Sequence, residues 1–289
     1  MQQIPVEQLR ERLPEFVARI HTETKVPGIA VAVSVGGERV YAQAGTRNVD
    51  DSLPLTTDDR FHLGCATKLL LAVVTLELAR SGRLDLNATI AEYLPELENT
   101  LHGNTIRLAH LLSHTSGYRG TNILEPETRE LTWDAFVEYL RHTPQFFAPG
   151  SVFNYEHTEA VLLGEIIRRA TDKTTLTLIR EMVFEPLGIS PGLFETDARG
   201  AGRHDLDPTS GRFKRLDHVP PLTEFWLSAF SNYTLSLVDL VTIAESAIGV
   251  GLSRSSSTSP VSNATLNLLQ RPVVWLPPTA GGPLRELLP

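Results

Sequence analysis

The stretch FHLGCATKLLLAVVTLELARSGRLDL, residues 61–86, contains the only cysteine of the chain, Cys65, three residues before Lys68. An apolar run that follows a small-residue turn and ends near Ser81 and Gly82 predicts a helix beginning at or just after Cys65. Positions i and i+3 share a helix face, so the thiol and the amine can approach each other. The helix dipole and a nearby ammonium both favour the nucleophilic thiolate. Taken alone, C-x-x-K also fits a buried cysteine followed by an ordinary helix-start lysine.

Composition narrows the class of protein. The chain has 289 residues, 42% of them hydrophobic, and a net charge of −8, which suits one large domain or two intimate subdomains and argues against nucleic-acid binding. A run of about 18 apolar residues is missing, which argues against a membrane span, and the polar start MQQIPVEQLRERLPEF lacks the apolar core of a signal peptide. One cysteine excludes an internal disulfide framework, and the scattered histidines suggest no metal site. We therefore predict a soluble cytoplasmic protein without a metal or cofactor.

Periodicity and turn residues predict the main elements. Apolar spacing indicates a helix from about Val6 to Thr24, and residues 28–48 indicate a β-hairpin around Gly36-Gly37. Further helices are predicted within TIRLAHLLSHTSG, around 133–141, after the Pro149-Gly150 turn and within LSLVDLVTIAESAI. Residues 195–220, including RHDLD at 203–207, are expected to be irregular and solvated, and the tail from residue 271 is proline-rich.

Three segments in order carry a family resemblance. The first segment follows the pattern F-x-x-G-S-x-x-K, then an apolar helix, and then G-K-L-D-L before Y-L-P, except that a cysteine stands in place of the serine. The residues that match this pattern are Phe61, Gly64, Lys68, Gly82, Leu84, Asp85, Leu86, Tyr93, Leu94 and Pro95. The second, TIRLAHLLSHTSGY (105–118), is similar to I-x-H-L-L-x-H-T-S-G, and the third, FAPGSVFNYEHTEAVLLGEIIRRAT (147–171), to P-G-x-x-F-x-Y-S-N. Together they resemble the serine β-lactamase and penicillin-binding-protein superfamily, in the branch of class C β-lactamase-related esterases and transacylases, from about residue 25 to 270.

The resemblance implies a fold of the β-lactamase/transpeptidase type, α/β (α+β) in class. An antiparallel sheet would be flanked by helices and joined by a helical subdomain. The whole chain, 1–289, would form one domain, with a sheet-containing part at about 1–60 and 190–289 and a mainly helical part at about 61–189. The family places a final K/H-T-G strand across the site, and this chain stops at Pro289, close to where that strand should begin. The C-terminal strands are therefore expected to be truncated.

The resemblance also implies the catalytic residues. Cys65 stands where the family has its acylated serine, with Lys68 as its partner and Gly64 beside it at the substrate. Tyr155 would help to move the proton to the leaving group. His157 replaces the asparagine of Y-x-N, and three alternatives stay open: a general base for the thiol, a polar pocket wall that hydrogen-bonds substrate or Lys68, or a side chain that points away. The histidine of H-T-S-G, His114, is expected to be structural.

Further substrate contacts are expected from the second half of the chain. Trp226 falls where the family has a loop lining the cleft, so that it would shape an acyl pocket or pack in the core. PPTAGGPLREL, 277–287, faintly resembles H-T-G-G-T-P-G, so that Thr279 and Gly281 would stand in for the final strand. The backbone N–H of Cys65 would stabilise the oxyanion.

These residues together predict an acyl-transferring enzyme. A cysteine nucleophile would act on esters, thioesters or activated amides in metabolite biosynthesis, as a transacylase rather than a β-lactamase. Its partners would be a small-molecule acyl donor and a small-molecule acceptor. One alternative is that these molecules are carried by coenzyme A or by a carrier protein. A second copy or another protein would cover the exposed C-terminal sheet edge. The alternatives are a catalytically inactive homologue that binds a ligand or partner, and a residual esterase.

Overall fold

The chain divides into two compact units. The computed structural model describes residues 5–50, 52–100, 103–118, 132–194, 198–216, 226–227, 231–248 and 261–271. The sheet unit comprises residues 1–67, 178–222 and 230–266, and the helical unit comprises residues 68–177, 223–229 and 267–289. The single domain expected over 1–289 stays a prediction.

The described elements are helices and antiparallel strands, with strands β1–β3 and β4–β7 on either side of a run of helices along the chain. The helices are α1 Val6–Thr24, α2 Thr67–Arg80, α3 Ile90–Tyr93, α4 Leu108–Leu112, α5 Trp133–His142, α6 Thr158–Thr171, α7 Thr175–Ile179, α8 Leu237–Ile248 and α9 Asn263–Leu269. The strands are β1 Gly28–Val35, β2 Glu38–Gly45, β3 Arg60–His62, β4 Gly192–Leu193, β5 His204–Asp207, β6 Arg212–Arg215 and β7 Tyr233–Ser236. The predicted mixed architecture of antiparallel sheets and helices is confirmed.

The N-terminal part of the sheet unit follows local sequence signals closely. Helix α1 buries Leu13 and Val17 against Val40 and Ala42 of the β1–β2 hairpin. The hairpin pairs Val35 with Glu38 across Gly36-Gly37. Both of these glycines have positive φ, 61° and 89°, as a tight two-residue turn requires. The predictions of helix 6–24 and of this hairpin are confirmed.

A second sheet of the unit has the strand order β3-β7-β4. Strand β7 is buried along its whole length and pairs antiparallel with β3, Arg60 opposite Ser236. Helix α8 follows β7 directly and starts two residues later than LSLVDLVTIAESAI suggests, because its first residues complete the strand. Glu245 of α8, 7% exposed, accepts hydrogen bonds from Ser34 at 2.5 Å and from Arg39, which connects α8 to the first hairpin.

The expectation that residues 195–220 are irregular is wrong for part of the segment. Strands β5 and β6 form a hairpin in which His204 pairs with Arg215, so RHDLD belongs to a strand rather than to a solvated loop. The Asp207 carboxylate accepts hydrogen bonds from the N–H groups of Thr209 and Ser210 and thereby closes the turn. Polar residues on both faces hide this hairpin from a search for apolar alternation.

Helices make up the regular elements of the helical unit within the described residues. Helix α2 ends as its sequence predicts: the N–H of Gly82, at φ 74°, donates to the Ala79 carbonyl at 3.0 Å. The Asp85 N–H then donates to the Tyr93 hydroxyl at 2.8 Å, which fixes the chain between α2 and α3. The core is formed by fully buried aliphatic and aromatic side chains from these helices and the turns between them: Leu94, Leu97, Ile106, Leu108, Phe136, Leu162, Ile166 and Ile167.

Within the described ranges, no helix has both the length and the apolar character that a bilayer span needs.

Candidate active site

Cys65 lies on a single 3₁₀ turn, Gly64–Ala66, that runs directly into α2. Its side chain is exposed and carries a free thiol. Gly64 adopts φ 51°, in the left-handed region that residues with a side chain rarely occupy. The helix therefore starts just after the cysteine, and Lys68 follows three residues later in the first turn of α2.

Ser231 holds the chain on both sides of this turn within the sheet unit. The His62 Nε2–H donates to the Ser231 carbonyl at 2.9 Å, and the Thr67 hydroxyl donates to Ser231 Oγ at 2.9 Å. Arg203 donates to His62 Nδ1 at 3.0 Å, which leaves the imidazole proton on Nε2. Ser231 is itself fully buried and has φ 46°. Ser231, with its strained backbone and its hydrogen bonds to His62 and Thr67, therefore fixes the conformation of the chain around Cys65.

Gly64→Ala is expected to lower the free energy of unfolding by about 1 to 2 kcal/mol, the cost of a left-handed conformation for a residue with a Cβ. The added methyl group would meet only His62 Nδ1, at 3.9 Å, so backbone strain rather than a clash sets the effect. Urea denaturation of both proteins measures the difference. Equal stabilities would show that residue 64 can leave the left-handed region without cost.

Tyr155 is the centre of the polar cluster in the helical unit. Lys68 Nζ lies 5.1 Å from the centroid of the Tyr155 ring. The centroid of the His114 ring lies 4.6 Å from that of Tyr155 with the planes tilted by 45°, and the centroid of the His157 ring lies 5.4 Å away with the planes at 85°. The structure thus brings together Lys68, Tyr155 and His157 of the predicted set and adds His114.

Two of the sequence motifs dock on each other to build this cluster. The Asn154 N–H donates to the His114 carbonyl at 2.8 Å, and the Gly150 N–H donates to the Thr115 carbonyl at 2.8 Å. Gly117 has φ 84°, and a Cβ there would lie 2.1 Å from the Phe147 carbonyl oxygen. The glycine of H-T-S-G therefore permits the close approach that places His114 beside Tyr155.

A buried carboxylate supports His114 from α6. Glu159 Oε2 is hydrogen-bonded to His114 Nδ1, and Glu159 Oε1 accepts from the Ser116 N–H at 3.1 Å. Burial raises the pKa of Glu159, while the contact with His114 opposes that shift. Glu159 was not predicted from the sequence. The pattern that could have indicated it is its helical spacing with Leu162, Leu163 and Ile166, with which it occupies the buried face of α6.

His157 is neutral at pH 7. Burial above all, and then the positive charges of Lys68 and His114, lower the pKa of His157 to about 4. A general base works best when its pKa is near the operating pH. Among the three alternatives, this pKa therefore favours a hydrogen-bonding pocket wall over a base for the thiol.

The pKa of His157 also predicts a pH dependence of stability. Between pH 6.5 and about 4 the unfolded chain binds a proton at this residue and the folded chain does not, so stability is lost as the pH falls through that window. We expect the free energy of unfolding to fall less steeply between pH 6.5 and 4 in His157→Asn than in wild type. Urea denaturation at half-unit pH steps measures both slopes, and parallel curves would contradict the prediction.

The remaining predicted site residues are placed as follows. Trp226 is buried, with 1% of its surface exposed, which favours the alternative of core packing. Thr279 and Gly281 lie outside the described residues. Among the residues that are described, histidine, cysteine, aspartate and glutamate side chains form no group of three that could hold a metal ion.

Comparison with known proteins finds curated relatives that match more than half of this chain. Esterase EstB of Burkholderia gladioli is 28% identical over 233 residues, which cover 73% of this chain and 59% of that protein. Penicillin-binding protein 4 of Amycolatopsis lactamdurans is 30% identical over 172 residues, or 59% of this chain and 45% of that protein. The chain thus spans about half the length of these curated relatives.

Solved structures show the same fold. The crystal structure of SurE superposes with a TM-score of 0.71 at 26% identity, covering 89% of this chain and 58% of that one. The octameric penicillin-binding protein homologue from Pyrococcus abyssi gives 0.74 at 24% identity, covering 92% and 61%. The family described as Beta-lactamase matches residues 9–245. This chain therefore belongs to the Beta-lactamase family, whose fold it adopts.

Proposed function

We propose that this protein is an acyl-transferring enzyme that uses Cys65 as its nucleophile. The observation that carries the proposal is the position of Lys68 over the face of Tyr155, three residues after an exposed cysteine at the start of the same helical run. An inactive homologue would have no need to keep a lysine against a tyrosine ring in the first helical turn after an exposed cysteine. Gly64 supports the role because its left-handed conformation shapes the turn that presents Cys65.

Lys68 and Tyr155 are assigned the proton transfers. The three-residue spacing along the helical run favours transfer of the thiol proton to the Lys68 amine. Tyr155 is 47% exposed, so its hydroxyl is accessible to a leaving group while its ring face contacts the ammonium. Neutral His157 is assigned the hydrogen-bonding wall rather than the base, because its pKa is about 4.

The reaction has two steps. The thiolate attacks the acyl carbonyl carbon, a C–S bond forms, and the leaving group departs with a proton supplied through Tyr155. The acceptor alcohol, amine or water then loses a proton to the same pair of residues, attacks the thioester and releases Cys65. The N–H of Cys65 is assigned to the oxyanion.

The thiol favours esters, thioesters and activated amides as substrates, and transfer over β-lactam hydrolysis. A free exposed thiol fits a reducing compartment, so we place the activity in the cytoplasm, in metabolite biosynthesis with donors carried by coenzyme A or a carrier protein. Hydrolysis is the second candidate, which the similarity to Esterase EstB supports.

The test is the intact mass of the protein after incubation with a panel of acyl thioesters and activated esters. We expect a mass gain of one acyl group in wild type and none in Cys65→Ala, with urea denaturation showing that the variant is folded. Added amines or alcohols should discharge the adduct if transfer is the reaction, and water alone should suffice if hydrolysis is. No adduct on folded wild type with any donor would contradict the proposal and favour a ligand-binding homologue.

A further inference from the structure

Tyr155 is held mainly by its neighbours rather than by burial. Nearly half of its surface is exposed, 47%, so the protein interior restricts the ring only in part. Its ring contacts include Lys68 of α2, His157 just before α6, and His114, which lies nearest to it of these three. The orientation of His114 therefore bears directly on where the phenol hydroxyl lies.

His114 is fixed from two directions. Its backbone has φ 54°, a conformation that is unfavourable for a non-glycine residue and persists only where the surroundings enforce it. Its carbonyl accepts from the Asn154 N–H at 2.8 Å, one residue before Tyr155. Its Nδ1 is bound to Glu159, whose side chain is only 1% exposed. A strained backbone and a buried carboxylate thus hold one imidazole against the tyrosine.

Burial of the Glu159 carboxylate in this core is unfavourable in free energy. A buried carboxylate loses hydration, and the loss is offset only if hydrogen bonds replace it. Both of its oxygens are engaged, one by His114 and the other by the Ser116 N–H at 3.1 Å. An apolar side chain would suit the surrounding face of α6, where Leu162, Leu163 and Ile166 are buried. The carboxylate therefore serves the orientation of His114 better than it serves the packing of the helix.

We propose that Glu159 and His114 form a positioning pair that holds the Tyr155 ring in the place from which its hydroxyl handles the proton in acyl transfer. Glu159 acts on Tyr155 only through His114, so neither residue of the pair touches the reacting atoms. The expected effect on acyl transfer rests on the proposed function. The expected effect on the position of the Tyr155 ring rests on the contacts alone.

The test follows the Tyr155 ring by NMR in protein labelled with ring-¹³C tyrosine. The chain has six tyrosines, so Tyr155→Phe identifies the signal of interest. In Glu159→Met, which removes both acceptor oxygens, we expect the chemical shift of the Tyr155 signal to move towards that of free tyrosine. We also expect the signal to broaden. Acylation of Cys65 should slow on the order of 10²-fold, as for a misplaced catalytic group, with KM within about twofold of wild type.

The control is Glu165→Met, the same substitution on the same helix. Glu165 pairs with Arg168 and Arg169, so its loss costs ion pairs without altering the support of His114. We expect this control to leave the Tyr155 signal and the acylation rate unchanged. A merely structural role for Glu159 would lower the unfolding midpoint and leave the Tyr155 signal of the folded variant at the control position.

His114→Asn provides a second variant should Glu159→Met fail to fold. Asparagine tolerates the left-handed conformation, so the variant removes the imidazole without adding strain. An unchanged Tyr155 signal in the folded variants overturns the inference, whatever the kinetics show. Absence of acylation in wild type overturns the proposed function instead, and the NMR comparison still decides whether the pair positions Tyr155.

Discussion

Lys68→Ala is expected to slow acylation of Cys65 by about 10²- to 10⁴-fold, the contribution of a positioned acid–base group. The substitution removes the Nζ amino group assigned to accept the thiol proton and, with it, the positive charge that the protonated group places 5.1 Å from the centroid of the Tyr155 ring. Both losses act on the reaction rather than on the core, because Lys68 is only partly buried. The measurement is the single-turnover acylation rate, followed by intact mass from pH 6 to 9.

Lys173→Ala is the matched control for this prediction. Lys173 is an exposed lysine of the same helical unit, so its removal changes the net charge equally without altering the cluster around Tyr155. We expect its rate to stay within about twofold of wild type, as surface substitutions generally do little. Equal rates for the two variants and wild type would show that Cys65 is activated without Lys68.

Sequence alone could predict the elements whose signals are local. The amphipathic spacing of Leu13 and Val17 specifies α1, and the Gly36-Gly37 turn specifies the first hairpin, because each signal lies within a few residues of the structure that it produces. The β5–β6 hairpin could not be predicted in this way. Its turn depends on the Asp207 side chain, and its polar faces carry no apolar alternation.

The candidate site was predictable as a set of residues and not as an arrangement. Motif spacing singles out Lys68, Tyr155 and His157, but not the contact between His114 and Tyr155, which depends on two segments about 40 residues apart docking through Asn154. Glu159 was missed because a carboxylate on an apolar helix face gives no local indication of its partner.

A histidine at position 157 is compatible with the role that the Y-x-N pattern would give to an asparagine there. Burial and the charges of Lys68 and His114 keep its pKa at about 4, so at pH 7 it carries one donor and one acceptor and no charge. A primary amide also offers a donor and an acceptor without a charge. The low pKa therefore lets an imidazole take the place of an amide beside Lys68 without adding a further positive charge next to Tyr155.

Cys65→Ser is expected to reduce acyl transfer from thioesters on the order of 100-fold, because a hydroxyl is a far weaker nucleophile than a thiol. The fold should be unaffected, since residue 65 is exposed and serine is close to cysteine in size. The measurement is the rate of acceptor acylation from the best donor of the panel, beside Cys65→Ala as the zero-activity reference.

The direction of the Cys65→Ser result carries more information than its size. A large decrease would mean that the reaction depends on a thiol at position 65 and that Lys68 and Tyr155 do not suffice to activate a hydroxyl there. A rate equal to or above that of wild type would mean that the pair activates a hydroxyl as well as a thiol, and it would contradict a reaction adapted to cysteine. A ligand-binding homologue would show no transfer in any of the three proteins, so that one comparison separates a cysteine enzyme, a serine-type site and an inactive fold.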